Sequence, residues 1–135
     1  MLLEFLILLP SIILADEACD LATKLDTKLR FEDTVDKVLA LYTEPFEFAT
    51  CDKINVTHQD EELRRKIEKQ LDVKKLPMYI EIMGQREIKD CKLDSASKIL
   101  EYSVHFPSQN MIMGYRAELH GEGYKISFEK MCASI

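Results

Sequence analysis

The chain lacks any strong clustering of positive charge. Apart from Arg64-Arg65-Lys66 its cations are scattered, and the formal net charge is −6. Nucleic acids and anionic membranes are bound through a positive field that releases counterions, so both are disfavoured as partners. No run reaches the roughly 18 to 20 apolar residues that span a bilayer; the amino terminus comes nearest and falls short. Linkers, repeats and low-complexity tracts are missing, so one domain accounts for the chain. Cys-x-x-Cys is missing as well, which removes the common redox and zinc patterns. His58, His105 and His120 share no metal-ligand spacing with one another or with a cysteine, so neither a metal nor a cofactor is expected. No Ser, Cys or Lys stands in a nucleophile elbow, and Gly121-Glu122-Gly123 is too short for a phosphate loop.

What is present is an ordinary globular composition, 47% apolar and 31% charged. The chain opens "MLLEFLILLPSIILADEACD". From Leu2 to Leu14 it is apolar except for Glu4, Pro10 and Ser11, and Ala15 stands ahead of the charged pair Asp16-Glu17. An apolar block ending in a small residue before a polar boundary reads as a signal peptide over 1–15, leaving a domain over 16–135. Glu4 stands where a basic residue is usual, and a core strand "LLEFLIL" is the alternative. Asn55-Val56-Thr57 is an acceptor sequon, which makes Asn55 a glycosylation candidate. Cys19, Cys51, Cys91 and Cys132 all follow Ala15, are even in number and lie far apart. They read as two disulfides in a secreted, extracellular protein, with three connectivities open.

Helical spacing joins Ala18, Leu21, Ala22, Leu25 and Leu29, and Val35, Val38, Leu39 and Tyr42 resume it after "RFEDT". The expectation is two helices, or one bent helix, across 17–43. "EPFEFATC" then suggests a short extended piece at 46–50. Thr57 with Asp60 resembles a capping box for a charged helix over 58–72 that keeps Leu63, Ile67 and Leu71 on one face. After Pro77 the chain reads as sheet. "MYIEIMGQREIKDCKL" is a long strand broken near Gly84; "KILEYSVHF", "MIMGYRAEL" and "YKISFEKMC" follow, separated by the turns "PSQN" and "HGEG". Helices first and an antiparallel meander afterwards make an α+β protein with its helices on one face of the sheet.

Period two assigns the faces. Leu100, Tyr102, Val104 and Phe106 share one side with Met111, Met113, Tyr115, Ala117 and Leu119, and with Tyr124, Ile126, Phe128 and Met131. Glu101, Ser103, His105, Gly114, Arg116, Glu118, His120, Lys125, Ser127 and Glu129 share the other. One face is apolar and aromatic, and the other is wet.

The order of elements, with Phe46, Phe48 and Cys51 after the paired helices and Gly123, Tyr124, Lys125, Ile126 and Cys132 at the end, resembles the small secreted members of the nuclear transport factor 2-like domains. That resemblance implies a curved sheet wrapped round long helices, with a cavity at the open end of a cone. It also implies the pairing Cys51–Cys132, which leaves Cys19–Cys91. "DVKKLPMYIEIMGQREI" is similar to the cis-proline region of thioredoxin folds, but Cys19 makes no redox motif and the chain ends in a hairpin. Enzymes of the cone fold place a carboxylate or a His–Asp pair among inward side chains. The inward faces assigned above hold no Asp, Glu or His, and only Asp90 or Asp94 on the broken strand offers an acid. This argues against catalysis unless the register is displaced by one residue.

The reading is a secreted, non-catalytic domain whose cone takes an apolar small molecule or a protein partner. Its candidate cavity is lined by Tyr102, Met113, Tyr115, Tyr124 and Phe128. The alternatives are a small hydrolase or isomerase using an inward carboxylate, and a thioredoxin-like domain without a redox motif.

Overall fold

A computed structural model describes the backbone of residues 2–51, 54–57 and 61–133, and side chains for 17–51 and 61–132. Helix α1 (Leu2–Phe31) carries the stripe Ala18, Ala22, Leu25 and Leu29, all buried. Residues 32–34 interrupt it, and Thr34 caps the short α2 (Val35–Leu39), its Oγ1 accepting from the Lys37 N–H at 3.4 Å. Strand β1 (Tyr42–Thr50) begins earlier than the extended piece expected at 46–50. Helical spacing in the sequence runs on to Tyr42, but Tyr42 is a strand residue, because the Ile126 N–H reaches back to the Leu41 carbonyl at 2.6 Å and starts sheet pairing there. Strand β2 (Ile54–Thr57) pairs antiparallel with β1 at the sheet edge. Asn55 therefore lies on an edge strand opposite Phe48. His58 and Asp60, with the expected capping box, lie outside the described residues.

Helix α3 (Glu61–Lys74) buries Leu63 and Ile67 and half-buries Leu71, as its spacing predicts. The next element departs from expectation. "PMYIEIMG" is helix α4 (Pro77–Gly84), with Pro77 at its first turn, not the beginning of a strand. Its apolar residues satisfy either period: Tyr79, Ile82 and Met83 pack inward at spacings of three and four, while Met78 and Ile80 stay 66% and 64% exposed.

The meander follows as β3 (Glu87–Asp94), β4 (Ile99–Phe106), β5 (Met111–His120) and β6 (Gly123–Ala133). A single turn of 3-10 helix, Pro107–Gln109, joins β4 to β5, and Gly121 at φ 64° turns β5 into β6. The sheet order is β2-β1-β6-β5-β4-β3. Every neighbouring pair is antiparallel except β1 and β6, which run parallel. Helices α1, α3 and α4 cover the inner face, where Leu100, Val104, Phe106, Ala117 and Ile126 are fully or almost fully buried.

One irregularity decides the site. Arg116 pairs with Phe128, but the next residue, Ala117, pairs with Ile126, so Ser127 is an extra residue in β6. Because side chains alternate with period two, this bulge exchanges the faces of everything beyond it. Ile126 points inward opposite Ala117; Phe128 turns outward, under the Arg116 guanidinium at 5.4 Å. Glu129 comes inside opposite Tyr115. The assignment of Phe128 to the inner face is corrected by one residue, and the inner face acquires a carboxylate.

The disulfides are Cys19–Cys91, joining α1 to β3, and Cys51–Cys132, joining the end of β1 to β6, with Cα–Cα distances of 5.2 and 5.5 Å. This is the pairing implied by the resemblance.

Candidate ligand-binding cavity

A hollow of about 430 Å³ opens between α3, the end of α4 and the near ends of β1, β5 and β6. That volume falls within the range of small-molecule sites. Phe46 and Phe48 of β1, Ile67 of α3, Met83 of α4, Met113 of β5 and Met131 of β6 supply the apolar wall. Ile67 faces it because it shares the buried stripe of an otherwise charged helix with Leu63. The methionines are unbranched and polarisable, which suits a wall that must adapt to a guest.

The inner end of the hollow is polar. Arg30, on the last turn of α1, donates from Nη2 to the Tyr115 hydroxyl at 2.6 Å, and its guanidinium lies 5.1 Å from the Phe106 ring centroid. Its Nε lies 3.2 Å from Asp26 Oδ1, an ion pair without a hydrogen bond. Arg86 holds the other oxygen of Asp26, Nε to Oδ2 at 2.6 Å. The end of α1 is fastened from outside: Lys74 Nζ donates to the Leu29 and Glu32 carbonyls at 2.8 and 3.0 Å, and the Tyr79 hydroxyl donates to the Arg30 carbonyl at 2.8 Å. Helices α3 and α4 thus place Arg30 by holding the backbone that carries it.

Glu129 completes the cluster. Its Oε2 accepts from the Tyr42 hydroxyl at 3.4 Å and its Oε1 from the Tyr115 hydroxyl at 3.5 Å, both long contacts. Burial pushes the Glu129 carboxyl above its ordinary range, although Arg30 and the two hydroxyls oppose that shift. Burial likewise holds the Tyr42 and Tyr115 hydroxyls protonated, well above the usual phenol range. It also works against the charge of Arg30, but Tyr115, Asp26 and Glu129 outweigh it and the guanidinium stays ionised. A smaller hollow of about 170 Å³ shares Arg30, Tyr42, Gln70 and Glu129 and extends to Val73, Lys74 and Tyr79.

Of the candidate residues, Met113 lines the cavity. Tyr115 is buried, and only its hydroxyl bears on the polar end. Tyr102 stacks on Tyr115, ring centroids 5.1 Å apart, and its buried hydroxyl has no hydrogen-bond partner among the described residues. Tyr124 packs against the core at the far end of β6, opposite Leu119, and Phe128 lies on the outer face. The residues missed include Arg30, Tyr42, Phe46, Phe48, Ile67, Met83, Glu129 and Met131. A signal existed for Arg30, because Asp26 and Arg30 stand four apart on the same apolar stripe as Ala22 and Leu29. No pattern marked the bulge that brings Glu129 inside. On the outer face the His105 ring lies 3.3 Å from Ser103 Oγ, and His120 lies 3.4 Å from Glu118, both away from the cavity. Asp90 accepts from Ser103 there, and Asp94 caps the turn after β3 through the Ala96 N–H, so neither carboxylate reaches the hollow.

No family model and no curated protein matches the sequence. Solved structures do resemble it. A de novo designed protein with a curved β-sheet superposes with a TM-score of 0.61 at 9% identity, over 86% of this chain and 97% of that one. An NTF-2 like protein of unknown function from Shewanella oneidensis gives 0.52 at 14% identity, over 84% and 97%. A domain of unknown function with a cystatin-like fold from Nostoc punctiforme gives 0.52 at 14% identity, over 90% and 78%. These identities establish architecture and no activity. The chain has the nuclear transport factor 2-like fold, an α+β cone in which helices fill the hollow of a curved sheet.

Proposed function

We propose that the chain is a secreted, non-catalytic domain that binds a small apolar molecule in its cone. The observation that carries the reading is the 430 Å³ hollow walled by Phe46, Phe48, Ile67, Met83, Met113 and Met131. Two disulfides support an oxidising compartment. Cleavage after Ala15 would retain the whole buried stripe from Ala18 to Leu29. Mass spectrometry of protein secreted from a eukaryotic host, with and without reduction, reads the new amino terminus, both disulfides and a glycan on Asn55. An intact Met1 in soluble, folded protein overturns the secretion reading. For the cavity, an environment-sensitive apolar dye should bind saturably at micromolar concentration and be displaced by fatty acid. Ile67→Trp, which fills the hollow, should remove that binding, whereas Phe128→Ala on the outer face should leave it intact. Dye that never saturates means a closed cone.

A second reading follows from Glu129. A carboxyl of raised pKa beside two tyrosine hydroxyls has the make-up of a general acid–base group, as a small isomerase or hydrolase would use. Turnover of enolisable ketones or simple esters that disappears in Glu129→Gln would favour this reading over binding alone.

A further inference from the structure

Resting on the binding reading above, we propose that the guest is an amphipathic carboxylate with an apolar chain, and that it enters together with one proton, which Glu129 takes from solvent. The chain as a whole is acidic, yet the hollow reverses that sign. Among the described residues Arg30, Lys66 and Lys69 face it against the single acid Glu129, and Lys74 lines the adjoining hollow. The Lys66 ammonium stands 5.2 Å over the Phe48 ring, so a positive charge is held against the apolar wall itself. Among the described residues neither Lys66 nor Lys69 forms an ion pair. Asp26, by contrast, is already shared by Arg30 and Arg86. Lysines without an ion pair beside an apolar wall fit a guest that is apolar along its body and anionic at one end.

Glu129 is what such a guest must accommodate. The groups around it come from each packed element: Arg30 with Asp26 behind it from α1, Tyr42 from β1, Tyr102 from β4, Tyr115 from β5, Lys66, Gln70 and Lys74 from α3, and Tyr79 from α4. A second carboxylate brought to this place repels an ionised Glu129, and burial already disfavours that ion. Of the two acids it is therefore Glu129 that takes the proton. Protonation turns one of its oxygens from acceptor to donor, so it can hydrogen-bond the guest carboxylate while Arg30 and the lysines balance the remaining charge. One proton is consumed per guest, and no covalent bond to the guest forms or breaks. A neutral alcohol gains nothing from the lysines, and a quaternary ammonium is repelled by them.

The test is isothermal titration calorimetry on the disulfide-bonded chain with decanoate, decanol and decyltrimethylammonium, from about pH 5.5 to about pH 8. Decanoate should bind tightest, lose up to about tenfold in affinity per pH unit, and take up a proton, visible as a heat that depends on the buffer. Glu129→Gln should flatten that slope and tighten decanoate at the alkaline end by about tenfold or more. Should that variant fail to fold, the buffer dependence of the unaltered chain decides alone. Decanol binding as tightly as decanoate, or decanoate binding with no proton uptake, overturns this inference and leaves the binding reading standing. Failure of all three probes to bind overturns both.

Discussion

The inner face of the sheet has two halves that differ in how they are filled, and the bulge at Ser127 divides them. On one side Ala117 faces Ile126 beside Leu100, Ala18 and Ala22. These are small or branched residues with few rotamers, and they leave nothing exposed. On the other side Met113 faces Met131, with Phe46, Phe48 and Ile67 nearby, and Met131 remains 39% exposed. The first half closes against α1 because alanines let the helix approach. The second stays open because α1 ends at Phe31 and leaves a hollow walled by α3 and the end of α4. Close packing lies in the first half and room for a guest in the second.

Removing a staple should have the largest effect. Replacing Cys51 and Cys132 by serine frees the open half where β1 meets β6 and should cost about 4 kcal/mol, read by urea denaturation. Loss below about 1 kcal/mol would mean that the open half is held by packing alone. Next, Ile126→Ala in the closed half should cost about 3 to 4 kcal/mol, whereas Met131→Ala at the rim should cost about 1 or less. Equal costs would remove the distinction between the halves. The smallest effect concerns Glu129. Its pKa is raised in the folded chain, so its contribution to stability is full below the ordinary carboxylate range and is lost as pH rises through the folded value. Glu129→Gln should therefore gain stability relative to the unaltered chain at neutral pH, and the gain should vanish on acidification below that range. A gain that grows with acid would show that Glu129 is better solvated folded than unfolded.

Much of this was legible because it is local. The alternation along "KILEYSVHF" placed Leu100, Tyr102, Val104 and Phe106 inside, and all four are buried. The 3.6-residue stripe placed Ala18, Ala22, Leu25 and Leu29 on the covered face of α1. "PMYIEIMG" misled because eight residues rich in β-branched and aromatic side chains satisfy both periods, and Pro77 at the first turn tipped it to helix. The site was less legible. Met113 was found; Phe46 and Phe48 come from β1, Ile67 from α3 and Met83 from α4, and no spacing within one segment joins these elements.

By itself the sequence determined what periodicity and residue type determine: an α+β order, one apolar face per element, a meander after residue 98, and four cysteines suited to cross-links. These follow from local sterics and from the need of each apolar stripe to leave water. Only the tertiary structure decided which cysteine met which, that β1 runs parallel to β6, and that an extra residue at Ser127 puts Glu129 inside and Phe128 outside. Strand register depends on the partner strand and on the helices packed over it. A single residue of displacement exchanges wet and dry faces without altering any local pattern.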